Sequence, residues 1–238
     1  MPGRTELDRR RAADAAAPVS DRAEIAAFLR EARTTAPRRG SGRLIFALDA
    51  TMSRQPTWDA ACALQGEMFR AAGRAGGLSV QLVYFRGIDE ARASRWVSDA
   101  EALGRIMSGI ACRGGLTQIG RVLDHAAKEA AKAPVAALAY VGDAMEENVD
   151  ALAAKAGALA LRNVRAFMFL EGRDPAAETA YREIARLTGG VLLPFDRNAA
   201  GELAALLRAV ATYAAGGRAA RGAAGGGAAR RLLADLRP

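Results

Sequence analysis

From residue 44 onward strand-like and helix-like segments alternate, and no other feature of this chain constrains its fold so tightly. Residues 44–48, Leu-Ile-Phe-Ala-Leu, form a short continuous apolar run, the signature of a strand covered on both faces. Further strands are expected at 78–86, at 95–97 (a short one at an edge), and at 135–141, 164–170 and 191–194. Helical periodicity fills the intervals after Pro56 and at 99–108, 118–132, 148–160, 176–187 and 200–214. Strands that alternate with helices build a parallel sheet with helices on both sides. The expectation is therefore an α/β fold, a doubly wound and mostly parallel six-stranded sheet.

The 238 residues are enough for one such domain with a full core. Residues 1–19 carry few large apolar side chains and read as disordered. Residues 20–42 read as a helix and a linker, 43–214 as the α/β domain, and 215–238 as a Gly/Ala/Arg-rich tail. That tail ends in a short apolar stretch, Leu232-Leu233-Ala234-Asp235-Leu236. No apolar run reaches the roughly 18 to 20 residues that cross a bilayer, and no apolar stretch follows the basic N-terminus as in a secretory signal. A cytoplasmic location is expected by default. Cys62 and Cys112 have no metal-like spacing and read as free thiols.

The net charge of +8 invites a nucleic-acid reading, but its distribution argues against one. Residues 1–43 hold ten Arg and six acids, residues 216–238 hold five Arg and one acid, and the segment between them is neutral. The basic excess lies in the flanks, where no folded platform for a nucleic acid is expected. Phosphate-loop and dinucleotide glycine patterns are also missing. His125, the one histidine, falls mid-helix with no nucleophile elbow to serve.

Chemistry is concentrated instead at three turns that follow strands. Asp49-Ala50-Thr51-Met52-Ser53 leaves the first strand, Thr117 follows Gly114-Gly115, and Asp143 follows the apolar run at 135–141. In open α/β sheets ligands bind outside the carboxyl ends of the strands, so three distant segments would meet at one edge. Alternate residues in Asp49-x-Thr51-x-Ser53 face the same way in an extended loop. Together the five side chains form an all-oxygen set, suited to Mg²⁺, with Mn²⁺ or Ca²⁺ as alternatives. Glu146 and Glu147 read as solvated residues at a helix start.

Asp49-x-Thr51-x-Ser53, Gly114-Gly115-Leu116-Thr117-x-Ile119 and Gly142-Asp143 resemble the metal-ion-dependent adhesion site of von Willebrand factor A domains, over roughly residues 43–214. The resemblance implies a doubly wound sheet with one antiparallel edge strand. It also implies a divalent cation held by the hydroxyls of Thr51, Ser53 and Thr117 and by Asp49 and Asp143, directly or through water. A protein partner would then add an acidic side chain to the metal, making the chain a non-enzymatic interaction module. The resemblance is to the bacterial intracellular type, whose members often work beside AAA-type ATPases. This chain departs from the pattern at Thr51, where serine is usual. Asp49 and Gly142-Asp143 also resemble parts of a haloacid-dehalogenase-type, Mg²⁺-dependent phosphohydrolase with Asp49 as nucleophile. Thr51 stands where that family needs an aspartate as general acid.

Overall fold

The structure, a computed structural model, describes residues 42–51, 58–59, 63, 68–70, 77–195 and 200–215. The expectations for residues 1–41, for Ser53 and for the tail beyond 215 lie outside the described residues. Six strands form one sheet: β1 (Gly42–Asp49), β2 (Leu78–Arg86), β3 (Glu90–Ala93), β4 (Ala137–Gly142), β5 (Arg165–Glu171) and β6 (Val191–Phe195). Their spatial order is β3-β2-β1-β4-β5-β6. All neighbours are parallel except β2 and β3.

The helices are α1 (Ala100–Ser108), α2 (Ile119–Lys132), α3 (Val149–Ala160), α4 (Pro175–Thr188) and α5 (Ala200–Ala214). Trp58, Asp59, Ala63 and Met68–Arg70, between β1 and β2, are also helical. Alternation along β1 divides the core into two layers. Leu44, Phe46 and Leu48 pack with Trp58, Met68, α1 and α5, whereas Ile45 and Ala47 pack with α2, α3 and α4. Each fully buried Leu, Ile or Phe contributes roughly 1.5–3 kcal/mol of transfer free energy. Among the described residues no helix is long and apolar enough to cross a membrane.

The antiparallel edge strand is not at residues 95–97. It is Glu90–Ala93, while Val97 makes only an isolated bridge to Val80. Glu-Ala-Arg-Ala has no apolar run to announce a strand, because it is half solvated and charged as edge strands commonly are. Gly87, at φ 63°, opens the turn that brings Glu90 opposite Arg86, and the Arg86 guanidinium grips both carboxylate oxygens of Glu90, at 2.9 and 3.0 Å.

Helix starts divide into two kinds. Asp99, Asn148 and Asp174 cap α1, α3 and α4 locally, each accepting from the backbone N–H three residues on, as N-cap side chains do. Gln118 at the start of α2 makes no such bond, and the first turn of α2 contains no acid. Its donors are satisfied from elsewhere.

Candidate metal centre

The chain leaves β1 toward β2 on one side and later returns to β4 on the other side of β1. The strand order therefore reverses between β1 and β4, the place where a crevice opens at the carboxyl edge of such a sheet. Leu48 pairs with Val141, so Asp49 is one residue and Asp143 two residues beyond the last pair. Asp49 is 2 % exposed and Thr51 8 %. The Thr51 backbone N–H donates to Asp49 Oδ1 at 2.8 Å, which fixes the turn leaving β1. Asp143 is half-buried.

Hydrogen bonds join the three segments. The Arg113 N–H donates to the Ala50 carbonyl at 2.9 Å, and the Leu116 N–H donates to the Gly87 carbonyl at 3.0 Å. The loop ahead of α2 is thus tied to β1 and to the β2–β3 turn. Gly115 is required by close approach, since a Cβ there would lie 2.1 Å from the Gly87 oxygen. The need at Gly115 is for space between two backbones.

Thr117, 7 % exposed, is joined to the loop of Asp143 through Glu146. Its hydroxyl donates to Glu146 Oε2 at 2.7 Å and its N–H donates to the same oxygen at 3.0 Å. The Glu146 N–H donates back to Thr117 Oγ1 at 3.2 Å. Glu147 accepts from the N–H groups of Ile119 and Gly120, taking the orphan donors of the first turn of α2. Burial pushes the Glu147 carboxyl above its ordinary pKa, against the opposing pull of those backbone bonds. These two residues were expected to be solvated; Glu146 is exposed and Glu147 half-buried, and both carboxylates are committed to α2. A capping glutamate 27 to 30 residues away in sequence has no local pattern by which it could be found.

Tyr140 lies behind the site. Burial pushes its hydroxyl well above the ordinary tyrosine pKa, helped by Tyr181 and by the charge of Asp49. The hydroxyl neighbours that of Tyr181, which donates to the Ala144 carbonyl at 3.0 Å, yet has no hydrogen-bond partner of good geometry among the described residues. A Cβ on Gly142 would meet both tyrosine oxygens, at 2.5 and 3.0 Å, so glycine is needed immediately before Asp143.

The donor set fits a hard divalent cation. Asp49, Thr51, Thr117 and Asp143 offer only oxygen, with two carboxylates among them. Among the described residues no three His, Cys, Asp or Glu side chains are grouped so as to hold a metal ion, so a site here needs the threonine hydroxyls beside its two carboxylates. Two exposed apolar side chains border the site: Ile88, 79 % exposed, follows Gly87, and Leu116, 51 % exposed, follows Gly115.

By sequence the chain matches no protein-family model and no curated protein. Solved structures do match it. A von Willebrand factor type A structure from Catenulispora acidiphila superposes with a TM-score of 0.57 at 18 % identity, covering 74 % of this chain and 43 % of that one. The SpRpn10 VWA domain gives 0.52 at 12 % identity, covering 66 % and 88 %. The fold is that of a von Willebrand factor A domain. Proximal thread matrix protein 1 from the mussel byssus, in a form with a zinc-occupied adhesion-site motif, gives 0.55 at 15 % identity, covering 73 % and 46 %. This chain spans less than half the length of the first and the last of these. At such identities the likeness establishes the A-domain fold alone.

Proposed function

We propose that this chain is a divalent-cation-dependent protein-binding module rather than an enzyme. The reading is supported by the hydrogen bonds that join the segments carrying Asp49, Thr51, Thr117 and Asp143 beside the reversal of strand order. In the proposal these residues and Ser53 hold Mg²⁺, with Mn²⁺ or Ca²⁺ as alternatives, directly or through water. The zinc-occupied motif of the mussel protein supports a divalent metal at such a site. The hydroxyl-rich donor set here favours a harder ion. When bound, the metal would supply a Lewis-acidic position for a carboxylate of a protein partner, in the manner the adhesion-site resemblance implies. Ile88 and Leu116 would meet apolar side chains flanking that carboxylate, as exposed apolar pairs beside a polar site commonly do. An AAA-type ATPase complex remains the partner class suggested by the resemblance, and a bacterial, intracellular setting goes with it.

The haloacid-dehalogenase alternative has no support among the matched folds. Of the two lysines on α2, Lys132 bonds Glu129 at 2.6 Å and Lys128 is exposed.

Titration of the full chain and of Asp49→Ala with Mg²⁺, Mn²⁺ and Ca²⁺, by calorimetry and thermal melting, tests the proposal. Binding confined to the folded state must raise its stability. Saturable stabilisation is expected in the wild type and none in Asp49→Ala, with no phosphate release from either. Absence of any metal response overturns the module, and metal-dependent phosphate release restores the hydrolase.

A further inference from the structure

A threonine hydroxyl has one proton to donate and two lone pairs to offer. At Thr117 the proton is directed to Glu146 Oε2 at 2.7 Å, and the Glu146 N–H occupies one lone pair at 3.2 Å. One lone pair is left. The same Oε2 holds the Thr117 N–H at 3.0 Å, so one residue fixes both the backbone and the side-chain rotation of Thr117. This reciprocal pair needs explaining, because a helix cap would need only the backbone bond, and Glu147 alone already takes the Ile119 and Gly120 donors of α2.

We infer that Glu146 is a positioning residue of the cation site: it takes the Thr117 hydroxyl proton so that the remaining Thr117 lone pair is presented to the metal. The inference rests on the proposed module. A hydroxyl that ligates a cation must point its proton away, and a carboxylate acceptor both directs that proton and makes the oxygen a stronger donor. Partners of this kind commonly change metal affinity 10–100-fold when removed. Glu146 is exposed, which screens its charge and sets the expectation at about tenfold, the lower end of that range.

The test is calorimetric titration with Mn²⁺ of the full-length wild type, Glu146→Ala, Glu146→Gln, Glu147→Gln, Thr117→Val and the double variant Thr117→Val/Glu146→Ala, each melted without metal as well. Glu146→Ala should weaken Mn²⁺ binding about tenfold, and Glu146→Gln, whose neutral oxygen still accepts, by less. Glu147→Gln should lower the metal-free melting temperature and weaken Mn²⁺ binding by less than Glu146→Ala, because Glu147 bonds chiefly the backbone of α2 and only secondarily the Thr117 hydroxyl. In the Thr117→Val background Glu146→Ala should add nothing, because the residue it acts through is gone. Unchanged affinity in Glu146→Ala overturns the inference and leaves the module standing. An undiminished effect in the Thr117→Val background also overturns it, by assigning Glu146 to the metal directly. A wild type that binds no Mn²⁺ overturns both inference and module.

Discussion

Helix α2 has a glutamate near each end, and the two are held in opposite ways. At the amino edge of the sheet Glu129 receives Arg43 at 3.1 Å, Trp96 Nε1 at 2.9 Å and Lys132 at 2.6 Å. The Arg43 guanidinium also stacks 3.9 Å over the Trp96 ring. Lys132, opposed by burial, and Trp96 hold the Glu129 carboxyl below its ordinary pKa. At the carboxyl edge Glu147 receives the neutral backbone donors of Ile119 and Gly120 and the pull of the Thr117 hydroxyl, and Lys155, the cation acting on it, is itself bonded to Asp124. One end is a neutralised clasp. The other end carries Asp49, Asp143 and Glu146 on the joined loops, carboxylates of the kind a cation site uses.

This contrast can be broken, beginning with its most costly element. Glu129→Ala should destabilise the protein by about 3 kcal/mol, because it removes the carboxylate that balances the Arg43 charge and the acceptor of the Trp96 N–H, leaving Arg43, among the described residues, only the Ala133 carbonyl as acceptor; urea unfolding measures this, and Mn²⁺ affinity should not change. Gly115→Ala forces two backbones apart and should cost about 2 kcal/mol, this time with weakened metal binding, since the Thr117 loop moves. Glu147→Ala removes a cap worth about 1 kcal/mol, read by the same unfolding curves. Equal losses of metal affinity at both ends of α2 would erase the distinction between them.

The smallest effect is in pH. Arg86, then Arg92, hold the Glu90 carboxyl down to about 2. Its folded pKa is below its unfolded value, so its contribution is present above about pH 4.5 and is lost as pH falls toward 2. Glu147 has the opposite sign: its raised pKa makes its contribution decline as pH rises through and above 4.5. Unfolding free energies between pH 2 and 6 should show a shallower acid slope in Glu90→Gln and a flatter decline above pH 4.5 in Glu147→Gln.

The sheet was legible because strands buried on both faces must be apolar, and residues 44–48, 135–141 and 164–170 have few other ways to fold. Helix α5 matches its expected limits, and α3 and α4 begin at local caps. β3 was not legible, since four half-exposed residues are held by a backbone ladder and an ion pair. The motif put Asp49, Thr51 and Asp143 just after strands, as β1 and β4 bear out, whereas Thr117 follows helix α1 and not a strand. Glu146 and Glu147 read as solvated in the sequence because their partners are fixed by tertiary geometry, with no periodic or short-range signal.

Because the first turn of α2 takes its cap from the loop after β4, that turn and the candidate metal centre form as one event. The Ile119 and Gly120 amides then act as built-in reporters: their exchange with deuterium follows the docking of the Asp143 loop, and a ligand that steadies the loop slows both amides together while those midway along α2 keep the rate of the whole domain.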